Sequence, residues 1–325
     1  MDRRDFVAAL AGGLGIPYLT RAQQTGSKRR IGFLSLASAP VSSLRDPALK
    51  NLRTLGWVEG QNLVVERRYA SGRVESLQPM AEELVRLRVD LIVANGTSAS
   101  WAAKRATTSI PIIIDRSADP VGAGLVASLA RPGANITGIS TMAVELDVKR
   151  LELLRELLPS ATRFGVLMVP TNPIDQFARK NMEQAFRSLQ MTPIFVDVSI
   201  ASELGSAVAK VAQQGGQGLI VSADPLFGSN FPLIARAAQT YSLPLMIEIP
   251  SWLTSGALVS YGPSEAQQEQ QLAVLIDKVL RGVKPADLPI EQPTQLYLVI
   301  NLKSAKALGV PVPKSVLVRA DEVLE

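Results

Sequence analysis

Small polar side chains follow the short apolar runs of this sequence, and their hydroxyls, amides and carboxylates can hydrogen-bond to a small polar or zwitterionic molecule. In a parallel α/β sheet, ligands bind beyond the carboxyl ends of the strands, where helix N-termini expose free N–H groups. We therefore expect these side chains to line one binding site. The candidates are Ser35, Asn95, Thr97, Ser117 and Asp119 in the first half of the chain, and Asn172, Asp224, Glu248 and Tyr261 in the second.

Each candidate also has a purely structural interpretation. Asn172 and Asp224 are favourable helix N-caps, and the proline that follows each of them fits the first helical position. Glu248 differs, because a carboxylate directly after an apolar strand is costly to bury without a cationic partner. In a zwitterion site, Asp119 or Glu248 would balance the ammonium group. Tyr261 and Trp252 are candidates for apolar walls of a cleft, although such side chains more often pack in a core.

The composition excludes several classes of chemistry. The chain contains no His and no Cys, so cysteine nucleophiles, Ser-His-Asp triads, thiolate or imidazole zinc sites and disulfides are ruled out. An all-oxygen cation site stays open, although the acids show no EF-hand-like spacing. We find no Rossmann fingerprint and no Walker A sequence, and we predict no catalytic residue, metal or cofactor. The remaining enzymatic alternative is a carboxylate pair drawn from Asp119, Asp224 and Glu248, which no spacing singles out.

The formal net charge is +5, and the basic residues are scattered rather than massed. They lack interleaved aromatic residues, so we predict no nucleic-acid surface. A hydrophobic content of 47% with 19% charged residues is typical of a well-buried globular protein.

The elements that must position these residues alternate between strand and helix. The first half reads as strands at 31–36, 63–69, 90–94, 111–115 and 136–140, with helices at 44–55, 74–87, 98–107 and 121–129. The second half reads as strands at 164–169, 193–198, 219–222 and 245–248, with helices at 148–158, 176–189, 203–213 and 230–240. Two such alternations in tandem predict an α/β protein of two Rossmann-like lobes with parallel sheets.

The remaining segments read as strands at 257–260 and 296–300 and helices at 265–280 and 302–308. They can cross back between the lobes and form a hinge of several strands. We predict a first lobe of residues 28–140 plus 262–283, and a second lobe of residues 141–261 plus 284–325.

The first residues have the pattern of an export signal. Arg3 and Arg4 precede an apolar run over residues 6–19, which ends in Thr20-Arg21-Ala22. A charged start, a short apolar core and a small-x-small end predict a signal peptide over residues 1–22, cleaved near Ala22, and hence a periplasmic protein. The arginine pair favours twin-arginine export over the general secretory route, which stays open. The structural alternative is a disordered N-terminus or a buried helix.

Beyond these patterns, the chain resembles the ABC-transporter substrate-binding family that includes tryptophan- and tyrosine-type binding proteins. The matching segments are 31–35 (IGFLS), 55–62 (LGWVEGQN), 119–129 (DPVGAGLVASL), 131–138 (RPGANITG), 149–154 (KRLELL), 223–225 (ADP), 260–263 (SYGP), 284–289 (KPADLP) and 301–303 (NLK). The resemblance covers essentially the whole chain. It implies a type I periplasmic-binding-protein fold with three crossovers, a small-molecule solute held between the lobes, and delivery to an ABC permease. We expect a monomer.

Asp115 and Arg116 depart from the family pattern, which implies smaller or apolar residues there. A guanidinium at the cleft would select a carboxylate ligand through a bidentate pair. The alternative is an outward-pointing Arg116 in an ordinary surface pair. Other functions also stay open: a periplasmic sensory protein that feeds a receptor, and a secreted α/β enzyme.

Overall fold

The computed structural model of the protein describes residues 28–39, 47–222 and 224–325. The predicted signal peptide, residues 1–22, lies outside the described residues. Within the described ranges, no helix combines the length and the apolar character that crossing a membrane requires.

The first alternation of strands and helices builds one parallel sheet. Its elements are β1 (Arg29–Ser35), α1 (Pro47–Thr54), β2 (Leu63–Tyr69), α2 (Leu77–Arg86), β3 (Leu91–Asn95), α3 (Thr97–Ala106), β4 (Ile112–Ser117) and β5 (Ile136–Ser140). The strands lie in the order β2, β1, β3, β4, β5, and all pairs are parallel. The apolar residues of β3 and β4 are buried, as expected for strands covered by helices on both faces.

The second alternation builds a second sheet of the same kind. Its elements are α4 (Ala143–Leu157), β6 (Arg163–Met168), α5 (Asp175–Ser188), β7 (Thr192–Asp197), α6 (Leu204–Gln213), β8 (Leu219–Val221), α7 (Pro225–Ser229), α8 (Phe231–Thr240), β9 (Leu245–Ile247) and β10 (Val259–Pro263). The order β7, β6, β8, β9, β10 mirrors the order of the first sheet.

The last part of the chain returns to each sheet in turn. It forms α9 (Glu265–Leu280), β11 (Ile290–Glu291), β12 (Leu296–Asn301), α10 (Leu302–Ala307), α11 (Lys314–Leu317) and β13 (Glu322–Leu324). Helix α9 packs on the first lobe, where the Trp57 indole N–H donates to Asp277 Oδ1 at 2.8 Å. Strand β11 pairs with β5, whereas β12 pairs antiparallel with β10. The chain therefore crosses between the lobes three times, after β5, after β10 and after β11.

Two boundaries differ from the sequence prediction. The prediction assigned residues 284–325 to the second lobe, but β11 lies in the first sheet, where Ile290 pairs with Gly138. It also assigned residues 262–283 to the first lobe, whereas β10 continues to Pro263 in the second sheet. Strand β11 has only two residues, too few for any periodicity, so tertiary pairing alone decides where it lies.

The helix predicted at 121–129 is absent; the segment consists of turns. Gly124 adopts a left-handed backbone (φ 69°) that interrupts a helix. Side chains of α3 bind the carbonyls that a helix would use: Trp101 donates its indole N–H to Ala123 O, and Lys104 Nζ donates to Gly124 O and Leu125 O.

Candidate functional site

A cavity of about 280 Å³ lies between the two lobes, at the carboxyl edges of both sheets. Its lining comes from the ends of β3 and β4, from the segments that follow β1, β3 and β9, from the first crossover, and from α7 with its N-cap. The lining residues are Ala37, Asn95, Gly96, Arg116, Thr141, Asp224, Pro225, Gly228, Ser229, Ile249 and Trp252. This volume is near the lower end of small-molecule pockets. The cavity therefore has room for one small solute that touches both lobes.

On the first lobe, the predicted polar residues form two hydrogen-bonded groups. Ser35 Oγ donates to Asn95 Oδ1 at 3.3 Å, and Asn95 Nδ2 donates to Asp115 Oδ2 at 2.7 Å. Thr97 Oγ1 and Ser117 Oγ lie 3.2 Å apart, and both residues are buried. Of these side chains only Asn95 lines the cavity. Ser35, Thr97 and Ser117 support the loops behind it.

Asp119 lies outside this cavity lining and stabilises a turn. Its Oδ1 accepts hydrogen bonds from the backbone N–H groups of Val121 (3.1 Å) and Gly122 (2.8 Å). The structural interpretation of this residue, a local cap, therefore describes its contacts better than ligand binding does.

Asp224 is the acidic residue of the cavity on the second lobe. It caps α7, since Oδ1 accepts from Leu226 N at 2.8 Å, and Oδ2 accepts from Asn172 Nδ2 at 2.9 Å. Burial raises the pKa of Asp224, and the two hydrogen bonds only partly offset that effect. The residue lines both the main cavity and a smaller, mostly apolar one of about 50 Å³, which Asn172 also lines. Asp224 is therefore both a cap and a wall of the site.

Glu248 lies beneath the cavity in a buried cluster of charges. Arg150 Nη2 is 3.2 Å from Glu248 Oε2, an ion pair without hydrogen-bond alignment, and Arg150 Nη1 donates to Asp147 Oδ1 at 2.7 Å. Asp147 Oδ2 in turn accepts from Ser222 Oγ at 2.8 Å. Burial raises the pKa of Glu248, and the positive charges of Arg150 and then Arg116 oppose that rise. The cationic partner that the sequence required for Glu248 is therefore Arg150.

Tyr261 contributes its backbone rather than its ring to this cluster. Its carbonyl accepts from Arg150 Nε at 2.8 Å, and its side chain packs on the apolar core of the second lobe. Because β10 ends at Pro263 and leads into the second crossover, Arg150 joins the floor of the site to the hinge.

Arg116 lines the main cavity, which decides between its two sequence interpretations in favour of the cleft. The β4–β5 register shifts between Ile114 and Ser117, and Arg116 has a left-handed backbone with φ 59°. Bulges of this kind redirect a side chain next to a functional site. Among the described residues, Arg116 has no ion pair within 4 Å.

The sequence prediction missed part of the lining. Thr141 and Ile249 directly follow the predicted strands at 136–140 and 245–248 but are absent from the predicted set, and Ser229 is the last residue of α7. Trp252, considered only as a candidate wall, stacks on Phe231 with ring centroids 4.7 Å apart and 18° between the planes. Its indole ring gives the cavity an apolar face opposite the polar first lobe.

Comparison with known proteins agrees with this architecture. A family model described as ABC transporter substrate binding protein matches residues 39–324. The chain belongs to this family. A curated relative, the tyrosine-binding protein of Clostridioides difficile, is 28% identical over an alignment of 322 residues, which covers 92% of this chain and 90% of that protein.

Two solved structures extend the comparison. The ABC domain in complex with L-Trp from Streptococcus pneumonia is 26% identical with a TM-score of 0.82, covering 92% of this chain and all of that one. A ligand-free, open substrate-binding protein from Clostridium difficile is 25% identical with a TM-score of 0.61, covering 91% and 99%. More distant periplasmic binding proteins share the fold alone, which is the type I fold.

Proposed function

We propose that this protein is the periplasmic solute-binding component of an ABC importer. It captures a small polar solute, an amino acid or another carboxylate-bearing molecule, between its lobes and delivers it as a monomer to a membrane permease. The observation that carries the proposal is the cavity between the lobes, where both lobes supply polar side chains. The tyrosine-binding relative and the L-Trp complex support an amino acid with an aromatic side chain.

The chemistry of the lining suits such a solute. Arg116 offers a positive charge, and Asp224 offers a carboxylate that already accepts two hydrogen bonds. Trp252 and Ile249 provide apolar surface for a side chain. Asn95 and Asp224 contact the solute directly, while Ser35 and Asn172 hold them in place.

The two lobes approach each other closely beside the cavity, so a bound solute can favour this closed arrangement. A Cβ at Gly96, in the first lobe, would lie 3.1 Å from Pro225 Cγ in the second, and one at Gly72 would lie 3.5 Å from Leu226 Cδ1. A solute that contacts both lobes binds this closed arrangement more tightly than an open one and shifts the population toward it.

Calorimetry of the mature protein with L-tyrosine and L-tryptophan tests the proposal. We expect Asp224→Asn to weaken the binding of either amino acid by about thirtyfold or more, because it removes the buried negative charge that pairs with the ammonium group of the ligand. Asp119→Asn is the matched control and should stay within about threefold of wild type. Equal affinities for all three proteins would contradict this site.

Uptake of the labelled amino acid by cells with and without the gene tests the importer role against a sensory one.

A further inference from the structure

Arg116 is held in a conformation that an arginine rarely adopts. Its φ of 59° lies in the left-handed region, which is unfavourable for a residue with a Cβ. Both neighbours along the chain are anchored: Asp115 Oδ2 accepts from Asn95 Nδ2, and Ser117 Oγ lies 3.2 Å from Thr97 Oγ1. With its neighbours buried on either side, the bulge leaves the Arg116 side chain directed to the cavity.

The guanidinium is also separated from the charges that surround it. Arg150, the other arginine near the site, is occupied by Asp147, Glu248 and the Tyr261 carbonyl. Arg116 acts on Glu248 only at longer range. Its charge opposes the rise that burial causes in the pKa of Glu248, and the two side chains form no ion pair within 4 Å. A planar guanidinium directed into a half-enclosed cavity matches a carboxylate through two parallel N–H···O bonds.

From this geometry we infer that Arg116 is the carboxylate-recognition residue of this protein and restricts its ligands to solutes with a free carboxylate. The inference rests on the proposed function, since it names the side chain that selects the solute class. The resemblance implies a smaller or apolar residue at this position, so we assign the selection to this chain's own residue.

Matched ligand pairs separate charge recognition from general binding. The probes are L-tyrosine, L-tryptophan and L-leucine, each with its α-amide, titrated by calorimetry into the wild type, Arg116→Asn and Arg116→Lys. Asparagine tolerates the left-handed backbone and removes the guanidinium, whereas lysine keeps the charge but loses the planar fork. Unfolding midpoints of the ligand-free proteins monitor folding.

We expect at least one acid to bind the wild type about thirtyfold or more tightly than its amide. In Arg116→Asn that preference should fall to within about threefold, with the amide affinity unchanged, and Arg116→Lys should be intermediate. An acid preference retained in Arg116→Asn, or amides that bind the wild type as well as acids, would overturn the assignment. If no probe of either kind binds the wild type, the proposed function itself fails.

A latch between Arg116 and Glu248 is the alternative role, and ligand-free stability distinguishes it. The unfolding free energies of Arg116→Asn, Glu248→Gln and the double variant should show only a small coupling, from the long-range interaction of the two charges, if Arg116 serves the ligand. A coupling that equals the loss in either single variant would show a latch and would contradict the inference.

Discussion

At the scale of single residues, Arg150 compensates the charges of the buried carboxylates beneath the cavity. It is fully buried and lies between Asp147 and Glu248, whose side chains are almost completely buried as well. Removing one member of a buried ion cluster leaves the other charges without compensation. The resulting loss of folding free energy is much larger than the loss for an exposed pair.

Arg150→Met should therefore lower the free energy of unfolding by about 3–5 kcal/mol in urea denaturation at neutral pH. Arg319→Met is the matched control, because Arg319 pairs with Glu156 in solvent, and it should cost less than about 1 kcal/mol. Equal losses in the two variants would mean that the buried cluster contributes no more than a surface pair.

The same variant has a pH dependence of predictable sign. Burial already raises the pKa of Glu248 above its ordinary 4.5, and losing Arg150 removes the largest opposing charge. A carboxyl whose pKa is raised in the folded state favours folding below its ordinary pKa, and this contribution is lost as pH rises through the raised value. The deficit of Arg150→Met should thus shrink as the pH approaches 4.5. A deficit that grows on acidification would contradict this account.

At the scale of elements, the contact between β4 and β5 sets the bulge that presents Arg116. Gly138 on β5 pairs with Ile114, the last residue before the register shift. A Cβ at Gly138 would lie 2.2 Å from Ile114 O and 2.6 Å from Ile114 N, both backbone atoms that cannot rotate away. The glycine is therefore required by close approach of the two strands.

Gly138→Ala should lower the free energy of unfolding by about 1–3 kcal/mol or more, because strands β4 and β5 must separate to admit the methyl group. Gly205→Ala is the control, since a Cβ there meets nothing within 4 Å and the residue lies in helix α6. That variant should match wild type or gain up to about 1 kcal/mol. Urea denaturation measures both, and a harmless Gly138→Ala would show that the strand pair can shift.

At the scale of the whole molecule, three chain crossings join two lobes, each built on its own sheet. Crossings of this kind allow hinge motion while keeping each lobe rigid. The structure resembles the L-Trp complex (TM-score 0.82) more than the ligand-free, open relative (0.61). We therefore expect ligand binding to change the arrangement of the two lobes.

Because the chain has no Cys, spin labels can be placed without background. With labels at Thr54→Cys and Glu183→Cys, both exposed and in different lobes, the distance between the labels should shorten when L-tyrosine or L-tryptophan saturates the protein. The control pair, Thr54→Cys with Arg86→Cys, lies within the first lobe and should not change. An unchanged distance in the first pair at saturating ligand would contradict closure.

Much of this architecture is determined by local sequence pattern. Apolar runs followed by polar residues predicted the two α/β lobes, and the strand ends predicted that Asn95 and Asp224 come to one cleft. These predictions succeed because burial on a parallel sheet imposes a pattern over a few neighbouring residues. The same pattern placed Ser35, Thr97 and Ser117 near the site without showing that they face inward behind it.

Only the tertiary structure decided which distant groups meet. Arg150 belongs to a helix whose sequence gives no sign of a carboxylate partner after β9. Strand β11 joins the first sheet, although β12, which follows it directly, joins the second. The orientation of Arg116 likewise depends on a register shift between two strands. Charge pairing, strand pairing and bulges are contacts between segments far apart in the chain, so no local periodicity contains them.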